Sequence, residues 1–167
     1  MDVMVDIETM GNGSDAAIIA IGAWEFNVET KSLGRCFYRI VDLQSSVDAG
    51  MKMDASTVMW WLKQSEGARA AISKPGESLT TVLKVFADWF PKGATLWGNG
   101  ATFDNVILAS AYRLTKQERP WKYSADRCYR TLKNLHPGDQ QETVGIAHNA
   151  LDDAKSQALH ALKLLSK

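Results

Sequence analysis

The chain has 167 residues, 46% of them apolar and 23% charged, a length and composition that predict one soluble globular domain and exclude disordered or collagen-like chains. Nineteen basic residues balance nineteen acidic ones, which excludes a strongly basic coat for nucleic acid. The balance hides a gradient: residues 1–30 carry Asp2, Asp6, Glu8, Asp15, Glu25 and Glu29 with no base, whereas 116–133 carry Lys116, Arg119, Lys122, Arg127, Arg130 and Lys133 against Glu118 and Asp126. Opposed patches of this kind suit a site that holds cations and receives an anion, and clustering by chance is the plainer alternative.

In chain order, Asp2 to Glu8 alternates strictly and predicts a strand with Val3, Val5 and Ile7 in a core and acids on the other face. Ala16 to Phe26 and Arg35 to Val41 read as two more strands, so the start is an antiparallel meander. Helical periods follow over Ala55–Gln64 and from Leu79 to Phe90. Ala94 to Trp97 is a short strand entering Gly98-Asn99-Gly100, and Thr102 is the expected cap of a helix reaching Leu114. Asn149 is the expected cap of a final helix, with Asp152 completing a variant capping box. The order βββ-α-α-β-α-α-α predicts an α/β fold, a mixed sheet with helices packed on it. Cys36 and Cys128 have no metal-ligand spacing and are expected as buried free thiols of a cytoplasmic protein. No leader and no run long enough to span a membrane are read in the chain.

Three groups of residues carry chemistry. Asp6 and Glu8 sit at i and i+2 of a strand, so their carboxylates share a face about 6–7 Å apart. Their repulsion is relieved by a cation, and oxygen ligands suit Mg²⁺ or Mn²⁺, although two acids on a solvent-facing strand are common without one. His148 and Asp153 lie about 140° apart on a helix, so they share a cleft only with His148 in the loop before Asn149. Asp104 falls at a helix start, where the dipole alone also favours an acid. On the Ala55–Leu62 helix, Trp60 points away from the apolar stripe, either to stack on a base or to meet a second subunit.

Asp6-Ile7-Glu8-Thr9, Thr102-Phe103-Asp104 and His148-Asn149-Ala150-Leu151-Asp152-Asp153-Ala154 resemble, in order, the three motifs of the DEDD superfamily of DnaQ-like 3′–5′ exonucleases. The last motif is similar to the histidine branch, DEDDh, since Asn149 stands where the other branch has tyrosine. Asn99 and Gly100 replace the His-Asn pair of many relatives. With Trp60-Trp61-Leu62 and Arg127-Cys128-Tyr129-Arg130-Thr131-Leu132, the chain resembles a phage and prophage subgroup that includes exonuclease A, exonuclease VIII-like proteins and exoribonucleases.

The resemblance implies one RNase H-like exonuclease domain over 1–167 and two-metal phosphodiester hydrolysis, with two Mg²⁺ or Mn²⁺ ions. Asp6 would bridge both ions, Glu8 and Asp153 would complete one site, and Asp104 would serve the other through a water. His148 would be the general base. Thr9, Met10, Trp60, Phe103, Arg127 and Arg130 are the expected substrate contacts, and single-stranded DNA or RNA 3′ ends the expected partners, in a monomer or a homodimer. A non-catalytic binding module is the rival of another class, and it would be expected to lack a ligand where this chain lacks none.

Overall fold

A computed structural model describes residues 1–166; Lys167, the last residue of the expected domain, lies outside them. Five strands form one sheet in the order β3-β2-β1-β4-β5. Strands β1 (Asp2–Thr9), β2 (Ile18–Asn27) and β3 (Ser32–Ile40) make the expected antiparallel meander. Strands β4 (Thr95–Gly98) and β5 (Asp126–Cys128) add parallel to β1. Helices α1 (Leu43–Asp48), α2 (Ala55–Trp61), α3 (Glu66–Ile72) and α4 (Leu79–Trp89) follow the meander. Helix α5 (Asp104–Leu114) joins β4 to β5, and α6 (Tyr129–Asn134) and α7 (Ala150–Leu165) close the chain.

Alternation along β1 sends Val3, Val5 and Ile7 to one face, where they pack with Leu83, Phe86 and Leu108 of α4 and α5. The acid-bearing face is covered too: Met4 is buried there with Phe26, Tyr129, Ala154, Ala158 and Leu162. The small residues of α7 let that helix lie close on the sheet. Closest of all is Gly22, where a Cβ would come within 2.2 Å of Ala150. Gly22 is the register partner of Asp6, so the start of α7 is seated directly beside the first acid.

Several expectations are corrected. The helix after β4 has Phe103, not Thr102, at its cap position, with no side-chain cap bond. Its first turn closes instead on the carbonyl of Gly100, which accepts from the N–H groups of Phe103 and Asp104 at 2.7 and 3.2 Å. Asn149 does cap α7, accepting from Leu151 and Asp152 N–H at 3.1 and 3.3 Å. Asp152 does not complete a capping box; its carboxylate accepts from Ile146 N–H at 2.9 Å and so ties down the preceding loop. Cys36 is exposed and Cys128 half-buried, because β3 and β5 are the two edges of the sheet. Arg127 lies on edge strand β5, which the sequence reading does not include.

Candidate active site

Strands β1 and β4 run parallel and their last pair is Val5 with Gly98. Beyond it β1 continues alone, opening a crevice at the carboxyl ends of the strands, the usual place for a site in a sheet of this kind. Ile7 has no ladder partner on that side, and its N–H donates to Asp104 Oδ1 at 3.3 Å. Asp104 can approach so closely because position 98 is glycine; a Cβ there would lie 2.8 Å from that of Asp104. The loop before α7 supplies the remaining groups. His148 adopts φ 62°, and its backbone N–H donates to Asp153 Oδ2 at 2.9 Å.

These elements bring Asp6, Glu8, Asp104, His148 and Asp153 to the wall of one cleft of ≈ 300 Å³. One carboxylate oxygen from each of Asp6, Glu8 and Asp153 lies within 4.8 Å of the other two. Glu8 Oε1 is buried without a hydrogen-bond partner. Burial, then the charges of Asp104, Glu8 and Asp153, hold the Asp6 carboxyl well above the usual carboxylate range. Burial likewise pushes Glu8 up to about 8, and the charges of Asp153 and Asp104 add to it. Asp104 is pushed by burial to about 7, against the pull of the Ile7, Asp104 and Asn99 N–H groups and of Arg130. Asp153 is raised by burial, with the His148 N–H acting the other way. Converging oxygens, an orphaned acceptor and a raised proton affinity are together the mark of a site short of positive charge. The donor set fits a hard divalent cation.

A stability prediction follows. Between about pH 5 and 8 the folded protein keeps protons on carboxyls that the unfolded chain has released, so cation-free stability falls as pH rises through that window. In chelator, the melting temperature is expected to be higher at pH 6 than at pH 8, and added Mg²⁺ to raise it more at pH 8, where fewer protons compete. Circular dichroism melts at the two pH values check both statements, and a flat pH response would contradict them.

A second cleft of ≈ 400 Å³ adjoins the first, sharing Ile7, Glu8 and Phe103 with it. Trp60, 42% exposed, stands at its side with ring centroids 5.1 Å from Trp61 and 5.0 Å from His148, both edge-on. Trp61 is buried and donates through Nε1 to the carbonyl of Thr9 at 2.9 Å. Thr9 lines this cleft, its hydroxyl donating to Gly11 O at 2.7 Å. Met10 instead packs against the buried Ile19, Trp61 and Ala68. Arg130 reaches the carboxylate-lined cleft and donates to Asn99 O at 2.6 Å. Arg127 folds onto the carbonyls of Ser124 and Asp126 at 3.0 and 2.9 Å, away from the residues lining either cleft.

A family model described as the 3′-5′ exoribonuclease Rv2179c-like domain matches residues 1–165. The chain belongs to this family. The exodeoxyribonuclease of enterobacteria phage T4 is 31% identical to the Rv2179c-like chain over 127 residues, 67% of this chain and 56% of the phage protein. The chain thus spans little more than half the length of that curated relative. Among solved structures, the nuclease domain of 3′hExo, a DEDDh member bound to rAMP, is 16% identical with a TM-score of 0.66, the match covering 98% of this chain and 90% of that one. E. coli exonuclease I in complex with a dT13 oligonucleotide is 15% identical with a TM-score of 0.67, covering 98% and 41%. At those identities the likeness is one of fold: the Rv2179c-like chain has the mixed, helix-flanked sheet of the RNase H-like DEDDh nucleases.

Sequence reasoning missed four residues that line the two clefts. Asn12, Ser56 and Thr57 line the aromatic cleft, and Asn12 Nδ2 donates to Thr57 Oγ1 at 3.1 Å. Gln157, 3% exposed, donates through Nε2 to Asp6 Oδ1 at 2.7 Å. Its signal was present, since Gln157 lies four residues after Asp153, on the same helix face.

Proposed function

We propose that this protein is a divalent-cation-dependent 3′–5′ exonuclease that removes nucleoside 5′-monophosphates from single-stranded 3′ ends. The observation that carries the reading is the meeting of four carboxylates and one imidazole in a cleft that opens directly into an aromatic one. Asp6, Glu8 and Asp153 would hold one Mg²⁺ or Mn²⁺, with Asp6 and Asp104 serving a second. When bound, the ions supply positive charge to the phosphoryl oxygens and the leaving group. His148 accepts the proton of the attacking water. Water oxygen bonds to phosphorus, the bond to the upstream 3′-oxygen breaks, and the phosphate departs on the released nucleotide. Arg130 offers a guanidinium to the phosphate. Trp60 and Phe103 face the terminal base, a stacking contact worth about 1–3 kcal/mol that tolerates any base.

DNA is the leading substrate, supported by the T4 exodeoxyribonuclease; RNA is the second, supported by the exoribonuclease description of the family. No helix among the described residues is long and apolar enough to cross a membrane, in keeping with action in the cytoplasm. The exposed Met59 and Leu62 beside Trp60 are the surface a homodimer would use. The deciding experiment is digestion of matched 5′-labelled DNA and RNA strands by the wild type and Asp6→Ala. A ladder shortening by single nucleotides in Mg²⁺, absent from the variant, is expected. Full activity in Asp6→Ala, or endonucleolytic products, would overturn the reading.

A further inference from the structure

The catalytic cleft does not end at Arg130. Gln141 lines it and also borders a third depression of ≈ 410 Å³, whose wall carries Lys133, Asn134, His136 and Asp139. Three depressions therefore adjoin in sequence: the aromatic cleft, joined to the catalytic one through Ile7, Glu8 and Phe103, and this outer one, joined through Gln141. Their chemistry changes from aromatic, through acidic, to polar, with Lys133 and His136 on a wall whose Asp139 is paired with Lys163.

The placement of the basic side chains has a local cause. Arg130, Lys133 and His136 recur every third residue along α6 and the turn that ends it, and residues so spaced share a side of a helix. The turn keeps that side aligned, because His136 N–H donates to Lys133 O at 3.0 Å. Asp139 is the carboxylate on this wall among the described residues, and Lys163 of α7 stands 3.7 Å from it. Lys133 rests over the Tyr129 ring, Nζ 5.5 Å from its centroid. The junction is anchored on both sides: the Tyr129 hydroxyl donates to Gln141 Oε1 at 2.7 Å and lies 2.7 Å from His160 Nδ1. Gln141 is thus tied to α6 and α7 together.

A strand whose terminal base fills the aromatic cleft and whose scissile phosphate meets the carboxylates must carry its next phosphates out of the site. The geometry points to the Lys133–His136 wall, continued from Arg130, as the binding site for the backbone phosphates of the nucleotides upstream of the scissile bond, in DNA and RNA alike. This inference rests on the exonuclease reading above and deepens it. Each phosphate met by a cation releases a counterion, so binding through this wall is length-dependent and salt-dependent.

The test measures binding by fluorescence anisotropy in Mg²⁺, using labelled trimers and dodecamers of DNA and of RNA with phosphorothioate 3′ linkages that keep them intact. The wild type is expected to bind dodecamers more tightly than trimers. Lys133→Glu combined with His136→Ala is expected to weaken dodecamer binding about tenfold and to flatten its salt dependence, leaving trimer binding within about twofold. The trimer serves as the control for folding. Equal weakening of both lengths, no weakening of either, or a loss confined to one sugar would overturn the proposal. Hydrolysis of unmodified strands by the wild type is followed in parallel. Hydrolysis with Lys133-independent binding removes the phosphate wall alone, whereas Lys133-dependent binding without any hydrolysis removes the exonuclease reading.

Discussion

Asp6→Asn is expected to lose about 10³-fold or more in turnover and, in chelator, to melt at a higher temperature than the wild type. The two effects share one cause. Asp6 is half-buried and faces Glu8, Asp104 and Asp153, and all four carboxyls have proton affinities raised first of all by burial. Converting one of them to an amide removes a group that must hold either a proton or an uncompensated negative charge in the folded site. Asparagine keeps an oxygen able to accept from Gln157, which donates to Asp6 at 2.7 Å, so the variant loses charge and not packing. At this chain length each kcal/mol moves the melting temperature by about 2–4 °C, so a rise of several degrees is well within measurement. Such a gain is the usual sign of a group kept for function at a cost to the fold. Retained turnover would remove Asp6 from the chemistry; a lower melting temperature without cations would mean that its charge is compensated in the folded state.

His148→Asn is expected to reduce turnover by about 10²–10⁴-fold, while Mn²⁺ affinity in calorimetric titration stays within about threefold of the wild type. The separation follows from which atoms of His148 do what. Its hydrogen bond to the carboxylate set comes from the backbone N–H, on Asp153 Oδ2, and does not depend on the side chain, whose charge is a smaller influence on Asp153. Its imidazole stands edge-on to Trp60 and Trp61, with centroids at 5.0 and 6.4 Å, and lines the carboxylate cleft. Asparagine is the apt replacement because the residue sits at φ 62°, a conformation asparagine tolerates better than most. Equal losses of turnover and of cation affinity would make His148 a structural support for Asp153 instead of the acceptor of the water's proton.

Much of this site is legible in the sequence because it stands where elements begin and end. The alternation of β1 fixes the shared face of Asp6 and Glu8. The Asn149 cap fixes the start of α7, and with it the turn that holds Asp153 and the loop position of His148. What sequence reading misses depends on contacts between distant segments. Helices α1 and α3, of 6 and 7 residues, each hold at most two large apolar side chains, where the equally short α2 holds four, so no period registers in them. Strand β5 has 3 residues and exists through its pairing with β4, so it does not register in the sequence. Thr102 has the right chemistry for a cap, but the turn through Gly98–Gly100 closes on a main-chain carbonyl and leaves it none of the work. Cys36 has apolar neighbours in sequence, yet β3 is a sheet edge. Met10 follows the first motif directly and still turns inward. Gln157 lies within the apolar face of α7, where an amide reads as a flaw in the stripe until its partner, Asp6, is placed beside it.

The seat of Ala150 on Gly22 has one more consequence. Because main chain meets main chain there, no side-chain rotamer sets how far α7 stands from the strand that carries Asp6 and Glu8. The aperture between the first and last acids is therefore a fixed dimension of the sheet-and-helix packing. The main chain thus sets the span between the acids, and their side chains set where the oxygens fall within it.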